Sequence, residues 1–412
     1  TTTTLGATSV YTGDIDLDGD IDIACASNLD NTVSWYKNNG AADPTFTAED
    51  LSTNIDGACG IVLADIDTDG DLDIISTSLD GDSIDLFKSN AAAVNLNTEA
   101  TAVEDYTATS GSLTIPAGQT SVTFNVPVLA DTFPENNETA RVTLSNPLNA
   151  AISDGTGILT ITDNDTISFT SHTVGTGALG AHGVIAGDID GDGDIDFISA
   201  NRDESNKGTP GGASSSVQLF TSDGASTPNF TQTTLLSDNS GYSDVQLGDL
   251  DRDGDLDIVV TAQLDAGSKT LWLENDGQAT PSFSTTILAN DEWQSHTISI
   301  GDVDNDGDLD FITAGRVGMS DNTQRITLFT NNGADDPTFE ASRLVPDATT
   351  LRMWTITTAE FADYDSDGDL DIFWASGPGD TVGWLENNDD GTWTPTLWND
   401  WDDDGDIDHY IY

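Results

Sequence analysis

Short apolar runs alternate with acidic and glycine-rich turns along the whole chain, and the same order of runs returns again and again. One run precedes an acidic loop, as in Gly60-Ile61-Val62-Leu63-Ala64 and Val184-Ile185-Ala186-Gly187. A second follows it, as in Ile74-Ile75-Ser76, Phe197-Ile198-Ser199, Ile258-Val259-Val260, Phe311-Ile312-Thr313 and Ile372-Phe373-Trp374. A third carries an aromatic residue and ends in Asn, Asp or Gly: Val33-Ser34-Trp35-Tyr36-Lys37-Asn38-Asn39-Gly40, Leu271-Trp272-Leu273-Glu274-Asn275-Asp276-Gly277 and Gly383-Trp384-Leu385-Glu386-Asn387-Asn388. A fourth is rich in Thr, as in Phe46-Thr47-Ala48-Glu49. Runs this short, bounded by turn residues and without a 3.6-residue period, predict strands and no helices. Four strands per unit predict a small sheet, and a ring of such sheets leaves few open edges.

The acidic loop between the first two runs has the form D-x-D-x-D-G-D-x-D. It occurs seven times, starting at Asp14, Asp65, Asp188, Asp249, Asp302, Asp363 and Asp400, at steps of 51, 123, 61, 53, 61 and 37 residues. Most steps fit a propeller blade of roughly 40–50 residues with short insertions. The 123-residue step is a blade plus a foreign insert, and the 37-residue step is a blade cut short. The stretch Thr1–Gly13 is a candidate for supplying the strands that the seventh unit lacks.

Each loop puts an oxygen at every second position around a glycine that permits the sharp turn. The candidate metal ligands are Asp14, Asp16, Asp18, Asp20 and Asp22; Asp65, Asp67, Asp69, Asp71 and Asp73; Asp188, Asp190, Asp192, Asp194 and Asp196. The later loops add Asp249, Asp251, Asp253, Asp255 and Asp257; Asp302, Asp304, Asp306, Asp308 and Asp310; Asp363, Asp365, Asp367, Asp369 and Asp371; and Asp400, Asp402, Asp404, Asp406 and Asp408. A hard cation takes six to eight oxygens at about 2.3–2.6 Å, and four or five carboxylates around one ion favour Ca2+ over Mg2+. The alternative for any such loop is a solvated acidic turn.

Charge bears this out. The chain has 73 acidic residues against 11 Lys and Arg, a formal net charge of −62, and 35 of the acids occupy the alternating positions of the seven loops. Seven divalent ions bring 14 positive charges and move −62 to −48, which relieves the loops and leaves the surface acidic. So few cations argue against nucleic acid or an anionic membrane as partner. The acids are regularly spaced and accompanied by 9 Trp and 14 Phe, which argues against disorder. No apolar run is long enough to span a bilayer. With no leader before Thr1, the expectation is a mature or trimmed N-terminus and an extracellular protein. Cys25 and Cys59 leave one disulfide open.

The repeated unit, with its Trp-containing strand after the Asp loop, resembles the FG-GAP or VCBS repeat of integrin-alpha-type calcium-binding β-propellers. By that resemblance, and by likeness to EF-hand loops, positions 1, 3, 5 and 9 bind through side chains and position 7 through its backbone carbonyl. The segment 91–166 has a different character, with Glu104-Asp105-Tyr106-Thr107, Phe124-Asn125-Val126-Pro127-Val128 and a closing Leu159-Thr160-Ile161-Thr162-Asp163-Asn164-Asp165. It is similar to the Calx-beta domain, an immunoglobulin-like sandwich, but lacks a counterpart of that family's opening strand. The resemblance implies calcium ligands at Asp105, Asp131, Glu135, Asp163 and Asp165. The fold expected is therefore all-β: a six- to seven-bladed propeller over 1–90 and 167–412, interrupted by the sandwich at 91–166.

Weaker signals remain. His182, His296 and Cys59 each lie six residues before a loop, a shared register on the first strand that faces the central channel. Gly175-Thr176-Gly177-Ala178-Leu179-Gly180 matches a dinucleotide fingerprint but is followed by strand residues, so the reading fails its context. No catalytic constellation emerges, and the chain is not expected to be an enzyme. Trp35, Trp272 and Trp384 are expected to share a packing position with Phe87, Phe220 and Phe329. Trp393, Trp398 and Trp401 cluster near the seventh loop and suit either a ring seam or a sugar surface. The function expected is that of a calcium-stabilised structural or adhesive protein holding about six to seven Ca2+ ions. Its partners would be copies of itself or a cell-surface or matrix molecule, with strand donation between subunits as the route to a filament or array. The alternative is a lectin-like glycan-binding propeller, with a carbohydrate-active enzyme behind it.

Overall fold

A computed structural model describes residues 5–91, 99–130, 137–162, 166–202, 215–263, 268–291, 294–316, 325–344, 356–376, 381–388, 391–399 and 408–411. It is a six-bladed β-propeller with an inserted Calx-beta-like (Ig-like) segment, and no helix occurs among the described residues.

The first blade is β1 (Ala7–Gly13), β2 (Asp22–Ser27), β3 (Thr32–Asn38) and β4 (Phe46–Ser52), paired in that order. The second begins with β5 (Ala58–Ala64), β6 (Asp73–Ser78) and β7 (Ser83–Ser89). The chain then leaves for the insert, which contributes the hairpin β8 (Glu138–Thr143) and β9 (Thr156–Ile161), and returns as β10 (Phe169–Thr176) to pair with β7. The third blade is β11 (Ala181–Gly187), β12 (Asp196–Asn201), β13 (Ser215–Thr221) and β14 (Thr231–Asp238). The fourth is β15 (Tyr242–Gly248), β16 (Asp257–Ala262), β17 (Ser268–Asn275) and β18 (Phe283–Asp291). The fifth is β19 (Gln294–Gly301), β20 (Asp310–Arg316), β21 (Arg325–Asn331) and β22 (Phe339–Arg343). The sixth is β23 (Ile356–Ala362), β24 (Asp371–Ser376), β25 (Thr381–Asn387) and β26 (Trp393–Asn399), extended by a fifth strand, β27 (Asp408–Ile411).

That last pairing corrects the expectation of a seventh, unfinished blade completed by the N-terminus. β1 is the inner strand of the first blade, paired with β2 from Ala7–Ser27 to Gly13–Asp22. β27 pairs with β26 through Asn399–Asp408 and Trp398–His409. The seventh loop therefore leaves from the outermost strand of blade six, where it adds an edge strand instead of starting a blade. Of that loop, residues 400–407 lie outside those described.

In blades two to five the second strand is sandwiched between neighbouring blades on both faces, which is why its sequence is continuously apolar instead of alternating. Every residue of β6, β12 and β16 is buried, whereas the fourth strands β4 and β14 are largely exposed. Five apolar clusters fill the five successive blade interfaces. In each, the residue at loop position 2 of one blade meets the second and third strands of the next. Those position-2 residues, Ile15, Ile66, Ile189, Leu250 and Val303, are all buried, while their sixth counterpart, Tyr364, is 51% exposed. At the other end of the blade series Val10 of β1 is 60% exposed, and Ile23 and Tyr36 are only partly buried. The inner strands pack in the succession β1, β5, β11, β15, β19, β23, and no packing of comparable extent joins β23 to β1 among the described residues.

The aromatic residues of the third strand divide between the two faces of each blade, against the expectation of one shared position. Trp35, Trp272 and Trp384 stand opposite Ala24, Val259 and Phe373. Phe87, Phe220 and Phe329 stand opposite Ile74, Phe197 and Phe311, one register place away. A shift of one residue in a strand reverses the face. Trp35 and Trp272 thus point at the following blade and the phenylalanines at the preceding one, where Phe197–Phe220 and Phe311–Phe329 stack with ring centroids 4.5 Å apart in both pairs; Trp384 packs on Tyr364 of its own blade.

Candidate metal centres

Each loop closes on itself through its own carboxylates. The glycine amide at position 6 donates to Oδ2 of position 1: Gly19 to Asp14, Gly70 to Asp65, Gly193 to Asp188, Gly254 to Asp249, Gly307 to Asp302 and Gly368 to Asp363, over 3.0–3.2 Å. Position 4 is left-handed in all six loops, with Leu17, Thr68, Gly191, Arg252, Asn305 and Ser366 at φ between 57° and 73°. The backbone is thereby wound so that alternate side chains converge. In loops 1, 2, 4 and 5 the position 1, 3 and 5 carboxylates bring an oxygen each within 4.8 Å of one another; in loop 3 positions 1, 3 and 9 do so.

The remaining oxygen of position 1 tests whether a cation fits. Oδ1 of Asp14, Asp188, Asp249 and Asp302 is buried and has no hydrogen-bond partner. A buried carboxylate oxygen without a donor is costly, and a cation in the cluster is the group that relieves it. The donor set is all oxygen and mostly carboxylate, which suits a hard divalent ion such as Ca2+.

Position 9 does something the sequence reading did not assign to it. Its side chain ties the loop to the third strand of the same blade. Oδ2 accepts the amide of position 2, from Ile66 to Asp73, Ile189 to Asp196, Leu250 to Asp257, Val303 to Asp310 and Tyr364 to Asp371, over 3.0–3.3 Å. Oδ1 accepts the amide that ends the third strand, from Asn38 to Asp22, Ser89 to Asp73, Ser222 to Asp196, Asn275 to Asp257, Asn331 to Asp310 and Asn387 to Asp371, over 2.7–2.9 Å. All six carboxylates are essentially inaccessible. Burial outweighs these hydrogen bonds in the metal-free loop: it raises Asp73 and Asp257 to about 7 and Asp196 and Asp310 to about 6. Burial, then the charges of Asp69 and Asp73, also raises Asp71.

Position 7 was expected to give its carbonyl to the ion and only charge from its side chain. The side chain instead lies against the glycine of the turn that follows the third strand. A Cβ on Gly40, Gly224, Gly277 or Gly333 would run into the carboxylate of Asp20, Asp194, Asp255 or Asp308. Those glycines also have φ of 61–64°, a conformation other residues adopt at a cost. The Asn-Asp-Gly ending of the third run is thus part of the loop's seat.

The sequence matches the FG-GAP-like repeat over residues 2–76 and 208–260, and the Calx-beta domain over residues 88–165. The chain carries FG-GAP-like repeats and a Calx-beta domain. Both modules are associated with calcium binding, in keeping with the Asp clusters of the propeller. No curated protein matches the chain. Among solved structures, BBS1N in complex with ARL6DN is similar at 13% identity and a TM-score of 0.34, covering 91% of this chain and 92% of that one. The V. cholerae biofilm matrix protein Bap1 is similar at 12% identity and a TM-score of 0.32, covering 99% of this chain and 87% of that one.

In the Calx-beta domain, Asp105 is buried and accepts the backbone amide of Thr101, while its own amide and carbonyl bond Thr101 and Leu129. Its resemblance-derived companions Asp131, Glu135, Asp163 and Asp165 lie outside the described residues, as do loop residues Asp400, Asp402, Asp404 and Asp406.

The residues six places before each FG-GAP loop have a structural task. Every inner strand bulges there: the register shifts at Thr8, at Cys59–Gly60, at His182, at Ser243, at His296 and at Thr357. The bulge turns the side chains of Thr8, His182, Ser243 and His296 toward a neighbouring blade, whereas Thr357 bonds to Ala375 of its own. Thr8 Oγ1 donates to the carbonyl of Cys59 at 2.9 Å, His182 Nδ1 lies 2.7 Å from the carbonyl of Ser243, and Ser243 Oγ donates to the carbonyl of Ser295 at 3.1 Å. His296 Nδ1 lies 2.6 Å from Gln263 Nε2. Cys25 and Cys59 are both buried free thiols, and burial pushes Cys59 to about 12, well out of the range of a nucleophile.

Proposed function

We propose that this chain is an extracellular structural or adhesive protein whose propeller is made rigid by Ca2+, one ion in each Asp loop and six to seven in all. The observation that carries the reading is the double duty of the loop. The carboxylates that converge at positions 1, 3 and 5 belong to a turn whose position-9 Asp also holds the second and third strands of the blade together. An ion bound there acts on the blade as a whole, because the loop cannot open without releasing the end of the third strand. Propeller repeats and Calx-beta domains are typically non-catalytic, and we assign no reaction to the chain.

Assembly into a filament or surface array is the finer part of this reading. It is motivated by apolar surface in the Calx-beta domain, where Val103, Leu148 and Ile158 are 82%, 87% and 74% exposed, and by the exposed side of β1. A donated strand would cover such surface and satisfy backbone groups at the same time. For the glycan-binding alternative, Trp393 is half-buried, and the side chains of its companions Trp398 and Trp401 lie outside those described. Electron microscopy of the purified full chain in millimolar Ca2+ tests the assembly. Regular filaments or sheets are expected, and a uniform field of discrete monomers contradicts it.

A further inference from the structure

We infer that the loops of blades one and two carry a built-in cation of their own, so that the protein takes up Ca2+ in two classes: tightly at loops 3–6 and at least tenfold more weakly at loops 1 and 2. The inference rests on the reading of the loops as calcium sites and divides those sites by a residue outside them.

That residue is the one before the Asn or Ser whose amide is held by position 9. Along the six blades it is Lys37, Lys88, Thr221, Glu274, Thr330 and Glu386. The two lysines belong to consecutive blades and make the same contacts. Lys37 Nζ is in contact with Oδ2 of Asp16 and lies 3.3 Å from Oδ2 of Asp18. Lys88 Nζ is in contact with Oδ2 of Asp67 and lies 3.7 Å from Oδ2 of Asp69. In both cases the ammonium sits on positions 3 and 5 of the loop, two of the three carboxylates that converge on the candidate ion. The position-3 side chains are only 1% exposed in both loops, so the pairs are shielded from water on the carboxylate side. A charge pair of this kind is screened less than a surface pair.

A divalent ion entering loop 1 or 2 must displace this ammonium or bind beside it, and either lowers its affinity. The same position in blades four and six holds a carboxylate, Glu274 or Glu386, and in blades three and five an uncharged Thr; loop 5 does meet a cation, but Arg252 contacts Asp308 at position 7, outside the convergent positions 1, 3 and 5. Lysine also keeps loops 1 and 2 partly neutralised without any ion. As Ca2+ falls, blades one and two are therefore the first to lose metal and the ones best equipped to keep their loop shape.

Calcium titration of the full chain by isothermal calorimetry, with Tb3+ luminescence as a second readout, tests the division. The wild type is expected to give two classes of site, the weak class numbering two. Asp14→Asn with Asp65→Asn should remove the weak class alone, and Asp249→Asn should remove one tight site. Lys37→Met with Lys88→Met should tighten the weak class at least tenfold, whereas Lys37→Arg with Lys88→Arg, which keeps the charge, should leave the isotherm close to wild type. Circular dichroism of each variant confirms that it is folded. A methionine variant whose isotherm overlays the wild type, or a wild type with a single class of sites, overturns the inference while leaving the calcium reading intact. A chain that takes up no calcium at all overturns both.

Discussion

The backbone amide of Asn331 donates to Oδ1 of Asp310 over 2.8 Å, and the side chain of the same asparagine donates to the carbonyl of Leu250 in the preceding blade over 2.8 Å. Asn275 and Asn387 repeat the arrangement toward Ile189 and Val303. Position 9 of one loop, the end of the third strand and position 2 of the previous loop are thus linked in one chain of bonds. Loop geometry is transmitted from blade to blade through it.

Replacing Asp310 by Ala should therefore destabilise the protein even without calcium. It leaves the amides of Val303 and Asn331 without their acceptor, at about 1–3 kcal/mol for each buried donor. Urea unfolding in chelator should show this loss. Asp306→Ala, which removes a carboxylate at the exposed position 5, should cost much less in chelator and a comparable amount in saturating Ca2+.

The interblade bond gives a second comparison. Asn331→Ala should cost about 1 kcal/mol or more, because buried polar partners are lost in two blades. Asn38→Ala should cost less, since its side chain is more exposed and its bonds, to the carbonyl of Ile21 and from the amide of Gly40, stay within its own blade. Equal losses in urea midpoint would argue that blade one is braced from the far side.

Gly277→Ala should be more damaging than Gly254→Ala. Both positions have positive φ, 62° and 100°, and each substitution carries a backbone cost of the order of 1–3 kcal/mol. Only at Gly277 does the new Cβ also meet a carboxylate, that of Asp255; around Gly254 the space is open. Combining Gly277→Ala with Asp255→Ala should recover the steric part, a coupling that a double-mutant cycle of thermal melts reads directly.

Dependence on pH should change sign character with calcium. In the metal-free protein burial raises Asp73 and Asp257 to about 7 and Asp196 and Asp310 to about 6, above their unfolded value near 3.8. The native state then binds more protons than the unfolded one, so stability is fully present below about pH 4 and is lost as pH rises through 6–7. Ca2+ holds these groups ionised and should flatten the profile. A remnant should persist from Asp244, raised by burial to about 7 while it holds the amides of Ile298 and Val245, and Asp244→Asn should remove it. Melting temperatures between pH 5 and 8, with and without Ca2+, check the sign.

Much of the architecture was legible because the repeat states it many times over. The Asp loops, the apolar second runs and the aromatic-bearing third runs correspond to loops and strands in all six blades. The place of the foreign insert, between β7 and β10, follows from a single long step between loops. What escaped the sequence depended on register. Trp35 and Phe87 look equivalent in a string of letters, yet pairing with Ala24 and Ile74 puts them on opposite faces. The seventh loop looked like the start of a blade until β27 was found paired to β26. Within the loop, alternation marks every second Asp alike. Only the fold separates position 1, with its orphaned Oδ1, from position 7, seated on a glycine, and position 9, saturated by two amides. A clue to the last was present: each third strand ends in Asn or Ser at the place where that amide is taken.

The central claim is that calcium in these loops holds the propeller rigid, and scanning calorimetry of the full chain in Ca2+ and in EDTA tests it most directly. Each loop filled at a hundred times its Kd contributes about 2.7 kcal/mol of linkage, and several loops act on one cooperative unit. The account predicts a large fall in melting temperature on chelation that is reversed by adding Ca2+ back. A melting temperature unchanged by EDTA would contradict it.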